Sequence, residues 1–434
     1  MRRRTNEKAL AVVPSCDFSG SEWLRTNSAP TATPILPTAT PMPPTATPLP
    51  ATDTVCADGC DFTTIQAAID DPGTTDGAII EITDPIHTEA GIIVSKDVTI
   101  QGVGADDTIV QAHATLEEAP DRVFLVAEGA TVTIRDLTIR HGNPPVGDED
   151  WRCGGGIANK GTLTLENCIV SYNTGNNGGG IWNCNGTLTV VNCTISHNTA
   201  DRIAPDGWED GFGGGIELQG ESTLTLVNST VSDNEAKSRG GGIYVAYETT
   251  ATLTNCTISG NWVTTYGGGL YTEGVLHLTH CTVVNNQARA ERAFGQIGER
   301  VPKDSVHGGG GVYVKGDTLH FTNTIIANNG KGDCFIAGPD VYGISGSLGT
   351  NSNNLVGDGS CDAAYSGDPL LGPLADNGGA TWTHALLPDS PVIDAVSVVS
   401  CTVPTDQRRV PRPIVQTSSD TPCDIGAFEQ QTDE

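Results

Sequence analysis

Between Gly154 and Asn329 one short phrase of sequence recurs six times, and this repeat limits the chain to very few folds. Each copy opens with a glycine triplet: Gly154 to Gly156, Gly178 to Gly180, Gly213 to Gly215, Gly240 to Gly242, Gly267 to Gly269 and Gly309 to Gly311. An alternating strand follows, as in GTLTLENCIVSYN (161–173) and GTLTVVNCTISHN (186–198), and the copy closes on an asparagine. Equivalent asparagines such as Asn167 and Asn192 are as little as 25 residues apart, and a period of that size signals a solenoid.

The period inside each copy decides which kind. Leu163 and Leu165, Leu188 and Val190, Leu224 and Leu226, and Leu276 and Leu278 alternate with Thr or His, so one face of a strand points inward. Aligned copies give a small-residue column of Cys168, Cys193, Ser229, Cys256, Cys281 and Thr324. Two residues on stands an aliphatic column of Val170, Ile195, Val231, Ile258, Val283 and Ile326. The closing column is Asn173, Asn198, Asn234, Asn261, Asn286 and Asn329. Stacked coils bring such columns to the inter-strand spacing of a sheet. An amide both donates and accepts, so the asparagines are expected to satisfy one another as a ladder. With right-handed crossovers between parallel strands, the expected fold is all-β, a right-handed parallel β-helix.

Ahead of the repeats the organisation changes. Residues 1–28 hold Met1 to Arg4 and an apolar run from Ala9 to Pro14, a shortened export signal, and Val13 to Cys16 is similar to a bacterial lipobox. Residues 29–53 are a Pro/Thr linker, suited to extended polyproline II. Cap and early coils are assigned to 54–143, the Gly/Asn coils to 144–330 and an irregular terminal module to 331–434. Phe62, Ile65, Ala68 and Ile69 share one helical face, with Thr63 and Thr64 as candidate N-caps, which predicts a short helix covering the open first coil.

GCDFTTIQAAID (59–70) followed by KDVTIQGVGADDTIV (96–110) resembles the start of bacterial pectin-lyase-like β-helix proteins. DPLLGPLADNGGATWTHALLPDSPVIDA (368–395), TDQRRVPRP (405–413) and CDIGAFE (423–429) resemble the terminal module of the bacterial choice-of-anchor Q proteins. The GGGI and asparagine phrases are also similar to polymorphic outer-membrane protein repeats. Val396 and Arg409 depart from the pattern, which has glycines there. The resemblance implies the fold and an extracellular or cell-surface setting. Members mostly lack an assigned activity, so it carries over no catalytic residue. Five residues follow Glu429, with no apolar tail, so the expectation is an N-terminal anchor, a lipid on Cys16, or none.

The 13 cysteines divide by position. Cys56 with Cys60, Cys334 with Cys361, and Cys401 with Cys423 lie in polar loops or the irregular module and are candidate disulfides of an oxidising compartment. Cys153 and Cys184, each beside a glycine triplet, are a further candidate pair. The cysteines of the inward column read as buried small hydrophobes.

With 23 basic and 52 acidic side chains the net charge is −29, which argues against a nucleic-acid partner. Three long loops leave one side of the solenoid: Gly142 to Cys153, Thr199 to Phe212 and Gln287 to His307. They carry Asp148, Glu149, Asp150 and Trp151, and Asp206, Trp208, Glu209 and Asp210; Trp262 and Tyr266 stand in a shorter one. Rings that cover sugar C–H groups beside carboxylates that accept hydroxyl hydrogens make a sugar-binding face. Trp151, Trp208, Trp262 and Tyr266 are therefore the ligand-binding candidates. No cofactor is expected beyond Ca²⁺, for which Asp148, Asp150, Asp206 and Asp210 are the candidate ligands. The reading is a monomeric, secreted or surface-tethered, adhesin-like binder of an extracellular polysaccharide or other cell-surface polymer. Two alternatives stand beside it. One is a polysaccharide lyase or glycoside hydrolase using Asp148, Glu149, Asp150, Asp206, Glu209 or Asp210, with Arg152, Arg202 and Arg239 on the same side. The other is a structural spacer.

Overall fold

The computed structural model describes residues 51–145, 153–201, 211–289, 308–340, 343–413 and 422–431. The chain is a right-handed parallel β-helix. Each full coil contributes one strand to each of three long sheets. Sheet I has nine strands and follows the glycine triplets, as in Ile181–Cys184; sheet II has eleven and holds the alternating segments, as in Thr187–Val191; sheet III has ten, as in Thr194–Ser196. A five-stranded sheet of two-residue strands, sheet IV, closes the long-looped side. Pairing is in register between repeats: Leu163 faces Leu188, which faces Leu224. The predicted inward residues line one continuous core, fully or almost fully buried. Each fully buried leucine contributes about 2–3 kcal/mol relative to exposure.

The asparagine column forms the expected ladder. Asn173, Asn198, Asn234, Asn261 and Asn286 each donate from Nδ2 to Oδ1 of the next member, at 3.0 Å, ending on Asn329. The backbone N–H of each member donates to the same Oδ1, and each Nδ2 also reaches a carbonyl one coil back, as Asn234 does to Ile195. Asn329 in turn donates to Asp333, whose second oxygen accepts from Asp358 N–H.

The other asparagine column, the one whose 25-residue spacing marks the period, has a turn role that the sequence did not announce. Asn167, Asn192, Asn228, Asn255, Asn323 and Asn353 turn the chain from sheet II to sheet III, with φ between 50° and 54°. Asparagine tolerates this left-handed conformation better than most side chains. Asp136 and His280 hold the same position in their coils. Within each triplet the first glycine is also left-handed, and the second has no room for a Cβ: one on Gly179 would lie 2.5 Å from the Gly214 and Thr199 carbonyl oxygens.

The capping helix spans Ile65–Asp70 and buries Ile65, Ala68 and Ile69 over the first coil. Of the two candidate caps Thr64 serves, accepting from Ala67 N–H, while Glu89 takes the N–H groups of Ile65 and Gln66.

The terminal module, from about Asp368, does not extend the solenoid. It folds back along the outer face of sheet III. Gln407 bonds Thr230 and Thr257, His384 bonds Ser259, and Ala427 N–H donates to Thr282. Leu386, Val392, Val396, Cys401, Cys423, Ile425 and Phe428 pack on Val284, Ile325, Ala327 and Leu355 as a second core. Its centre is ionic. Arg412 and Glu429 pair at 2.5 Å, and Asp406 accepts from Arg408 and from Glu429 N–H. Arg409 adopts φ 69°, a left-handed turn that glycine takes without strain, whereas Val396 pairs in extended fashion with Cys423.

Three disulfides join the predicted partners, Cys56–Cys60, Cys334–Cys361 and Cys401–Cys423, which fits an oxidising compartment. Cys153 and Cys184 are not bridged to each other; both lie in a small buried cluster with Ala158 and Trp182. Cys168, Cys193, Cys256 and Cys281 are buried thiols donating to backbone carbonyls, as Cys193 does to Val191. Among the described residues no helix is long and apolar enough to cross a membrane.

Replacing Asn234 with Ala leaves the Asn198 N–H groups and the Ile195 carbonyl without their partners. Urea denaturation should show a loss of about 2–4 kcal/mol. Burial, opposed by Arg412, pushes the Glu429 pKa up to about 7, and burial likewise raises Asp424. The folded state then binds more protons than the unfolded one between about pH 4.5 and 7. Stability of the module is therefore greatest below that window and declines as pH rises through it, by up to about 3 kcal/mol. Denaturation midpoints measured from pH 4.5 to 8 should show the decline in the native chain and a flatter profile in Glu429→Gln.

Candidate functional site

Asp148, Glu149, Asp150, Trp151, Asp206, Trp208, Glu209 and Asp210, with Arg152 and Arg202, lie outside the described residues. Trp262 and Tyr266 are described, and they do not share one face. Trp262 projects from sheet IV, between Glu235 and Gln287 in register, with the Arg289 guanidinium 4.5 Å from its ring. Tyr266 lies over sheet I, its ring 4.8 Å from Tyr313.

On the outer face of sheet I, six residues occupy the same register position on successive strands: Trp182, Glu217, Tyr244, Tyr271, Tyr313 and Phe335. Beside this column runs a shorter row, Phe212, Arg239 and Tyr266, joined by isolated bridges just before the glycine triplets. The rings stack along the solenoid axis: Phe212 on Tyr244 at 4.8 Å, Tyr244 on Tyr271 at 5.5 Å and Tyr271 on Tyr313 at 5.2 Å. Arg239 sits 5.4 Å from the Phe212 ring and 5.3 Å from that of Tyr271. Parallel in-register pairing is what turns a repeated aromatic position into a stack.

Glu273, at the end of its strand, ties this face together. Tyr244 donates to Oε2 at 2.8 Å, Tyr271 to Oε1 at 3.3 Å, and Arg239 also donates to Oε1 at 3.3 Å. Burial, with Glu273 next, pushes the Tyr244 phenol up, and burial does the same to Tyr271. Tyr313 is raised to about 12, again by burial first. Burial works against the Arg239 charge, but Tyr271, Glu273 and Tyr244 outweigh it and hold the guanidinium above its ordinary value. At neutral pH these phenols donate and this cation persists, so none of them is a base.

Toward the N-terminal end the face opens into a cavity of about 280 Å³ lined by Asp121, Arg122, Leu125, Cys153, Lys160 and Trp182, with Gly91 and Ile93. Lys160 Nζ is 5.9 Å from the Trp182 ring centre, and Trp182 Nε1–H donates to Gln219. The face therefore runs from a cationic, tryptophan-walled hollow to a tyrosine stack gripped by an Arg–Glu pair.

Sequence reasoning looked to the loops and passed over this column, although GGGIW, GGGIE, GGGIY, GGGLY and GGGVY repeat it in plain sight. The signal is the second residue after each triplet. Among the described residues one group has the composition of a metal site, His280, Cys401 and Cys423, within 4.8 Å of one another. The two sulfurs are bonded to each other, so it is not one in this state.

Residues 122–298 match the Beta_helix family, described as a right handed beta helix region. No curated protein sequence matches the chain. Among solved structures, a pectin methylesterase from carrot is similar at 13% identity and a TM-score of 0.36, over 71% of this chain and 90% of that one. Fold and match together define a right-handed β-helix protein.

Glu273→Ala would strip two buried phenols and a guanidinium of their acceptor. Urea denaturation should register about 2–4 kcal/mol of lost stability, against less than about 1 kcal/mol for Trp262→Ala.

Proposed function

We propose that this chain is a secreted or surface-tethered β-helix protein that binds an extracellular glycan, or another cell-surface polymer, without turning it over. The ligand lies along the outer face of sheet I and against the long loops beside it. One observation carries this reading: the face combines rings with carboxylate and guanidinium groups whose protons are committed to one another. Glu273 already accepts from Tyr244, Tyr271 and Arg239. A rigid, hydrogen-bonded surface of rings and charges suits recognition of a polyhydroxylated chain. A turnover site would instead need a proton carrier poised near the working pH. Tyr266 belongs to this surface; in this reading Trp151, Trp208 and Trp262 add further ring contacts to the ligand, and Asp148, Asp150, Asp206 and Asp210 are its Ca²⁺ ligands if the ion takes part. The disulfides support an oxidising, extracellular setting. The Pro/Thr segment before the first strand acts as the stalk, held to the membrane by a lipid on Cys16.

The test is retention of the full chain on an array of plant and bacterial polysaccharides, with and without Ca²⁺, read together with new reducing or unsaturated ends. Retention without product is expected, and Trp151→Ala with Trp208→Ala should weaken it about tenfold or more, while Asp148→Asn and Asp210→Asn weaken it less. Product formation would replace binding by catalysis. Indifference of every polymer to the chain would leave only the spacer role.

A further inference from the structure

The Cys401–Cys423 bridge lies inside the second core, with Cys423 fully buried and Cys401 nearly so. A ring nitrogen of His280, on the turn between sheets II and III, is within 4.8 Å of both sulfurs. His280 stands where the neighbouring coils carry Asn255 and Asn323. The Asn323 amide is fixed in orientation: Oδ1 accepts from Asn353, and Nδ2 donates to the Ser400 carbonyl. That same Nδ2 is 2.9 Å from His280 Nε2, so Nε2 is an acceptor and the neutral ring carries its proton on Nδ1. Burial, followed by the charge of Arg412, keeps the ring neutral. Nδ1–H is buried and makes no full hydrogen bond, only a looser approach to the Gly426 and Asp424 carbonyls. Sulfur in a disulfide accepts poorly, whereas a thiolate is stabilised by a nearby imidazole N–H. The oxidised state thus leaves a buried donor underused that the reduced state can use. Neither Cys56–Cys60 nor Cys334–Cys361 has an idle buried histidine or arginine donor beside it.

We propose that Cys401–Cys423 is a redox-responsive bond, reduced in preference to Cys56–Cys60 and Cys334–Cys361 because His280 stabilises its dithiol form, and that its reduction releases the C-terminal module from sheet III. The reductant is a small dithiol. Its thiolate attacks one protein sulfur, the S–S bond breaks and a mixed disulfide forms. The second thiol of the reductant loses its proton and displaces the attached protein sulfur, and the reductant leaves as its own disulfide. Both electrons end on Cys401 and Cys423. One sulfur takes up a proton and the other stays a thiolate against the His280 donor. Without the bridge, the segment holding Ile425, Phe428 and Glu429 keeps only its peptide connection, and non-covalent contacts alone hold it in place.

The experiment equilibrates the full chain at pH 7 with graded ratios of reduced and oxidised dithiothreitol, traps thiols by acid and alkylation, and reads each cysteine pair by peptide mass spectrometry. Equilibrium is the readout because the buried sulfurs react slowly. Cys401–Cys423 is expected to be half reduced at a ratio at least tenfold less reducing than Cys334–Cys361, about 30 mV for a two-electron couple. His280→Asn, the residue of the adjoining coils, should shift that midpoint back about fivefold or more, leaving Cys334–Cys361 where it was. At the midpoint, limited proteolysis should remove the module beyond residue 368 while far-UV circular dichroism keeps the β-helix signal. Coincident reduction of the two pairs in the native chain, which needs no variant to detect, overturns the proposal. So does an unmoved midpoint in folded His280→Asn, or a module that stays protease-resistant after both sulfurs are alkylated.

Discussion

A coil of roughly 25 residues bends its backbone sharply between sheets, and at those bends peptide groups point into a core that has no water to receive them. Everything else in the molecule depends on satisfying them. The asparagine ladder meets the requirement with one side chain per coil. Its oxygen takes two N–H groups from the coil before, and its nitrogen serves a carbonyl there and the oxygen of the next asparagine. Because each amide is half of two bonds, neighbouring coils lock to a common register. In-register columns of leucine inside and of tyrosine outside follow from that lock.

The three long faces then have different fates. Sheet III is covered by the terminal module, which inserts hydroxyl and amide partners along Thr230, Thr257 and Thr282 and brings its own core. Sheet II keeps a mostly polar surface, with Thr162, Thr187, Thr223 and Thr250 aligned from coil to coil and Val191, Val227 and Val275 among them. Sheet I combines large rings, opposite charges and a hollow, and it adjoins the side from which the longest connections leave. A solenoid with one side clamped, one plain and one chemically varied turns its varied surface in a single direction.

Much of this was legible from local pattern. The alternation around Leu188 fixes which side of the strand is buried, the glycine triplets mark the corners, and the three cysteine pairs stand in loops that the structure brings together. Two things were hidden for physical reasons. The turn column of Asn167 and its equivalents looks like ordinary polar sequence until its left-handed backbone is seen. The module's docking depends on partners some 150 residues away, such as Asn255 with Thr405, and no periodicity encodes such a pairing. The tyrosine column was visible but read past, because a repeated tyrosine in a β-rich sequence passes for strand propensity. The loop residues first chosen as the site stand outside the described residues, and of the two that remain only Tyr266 joins the sheet I face.

The ladder also has a direction. Asn173 accepts from Gly142 N–H at one end, and at the other Asn329 donates to Asp333, a carboxylate that can receive but has nothing to pass on. A message handed along by donation ends at the first recipient that cannot donate. The sheets run one coil further, through Cys334–Ile336, Ser347–Ser352 and Leu355–Val356, and there Asp333 donates across only from its backbone N–H, to Asp358. A single oxygen in place of a nitrogen thus works as punctuation: the side-chain relay stops at that residue, one coil before the strands do.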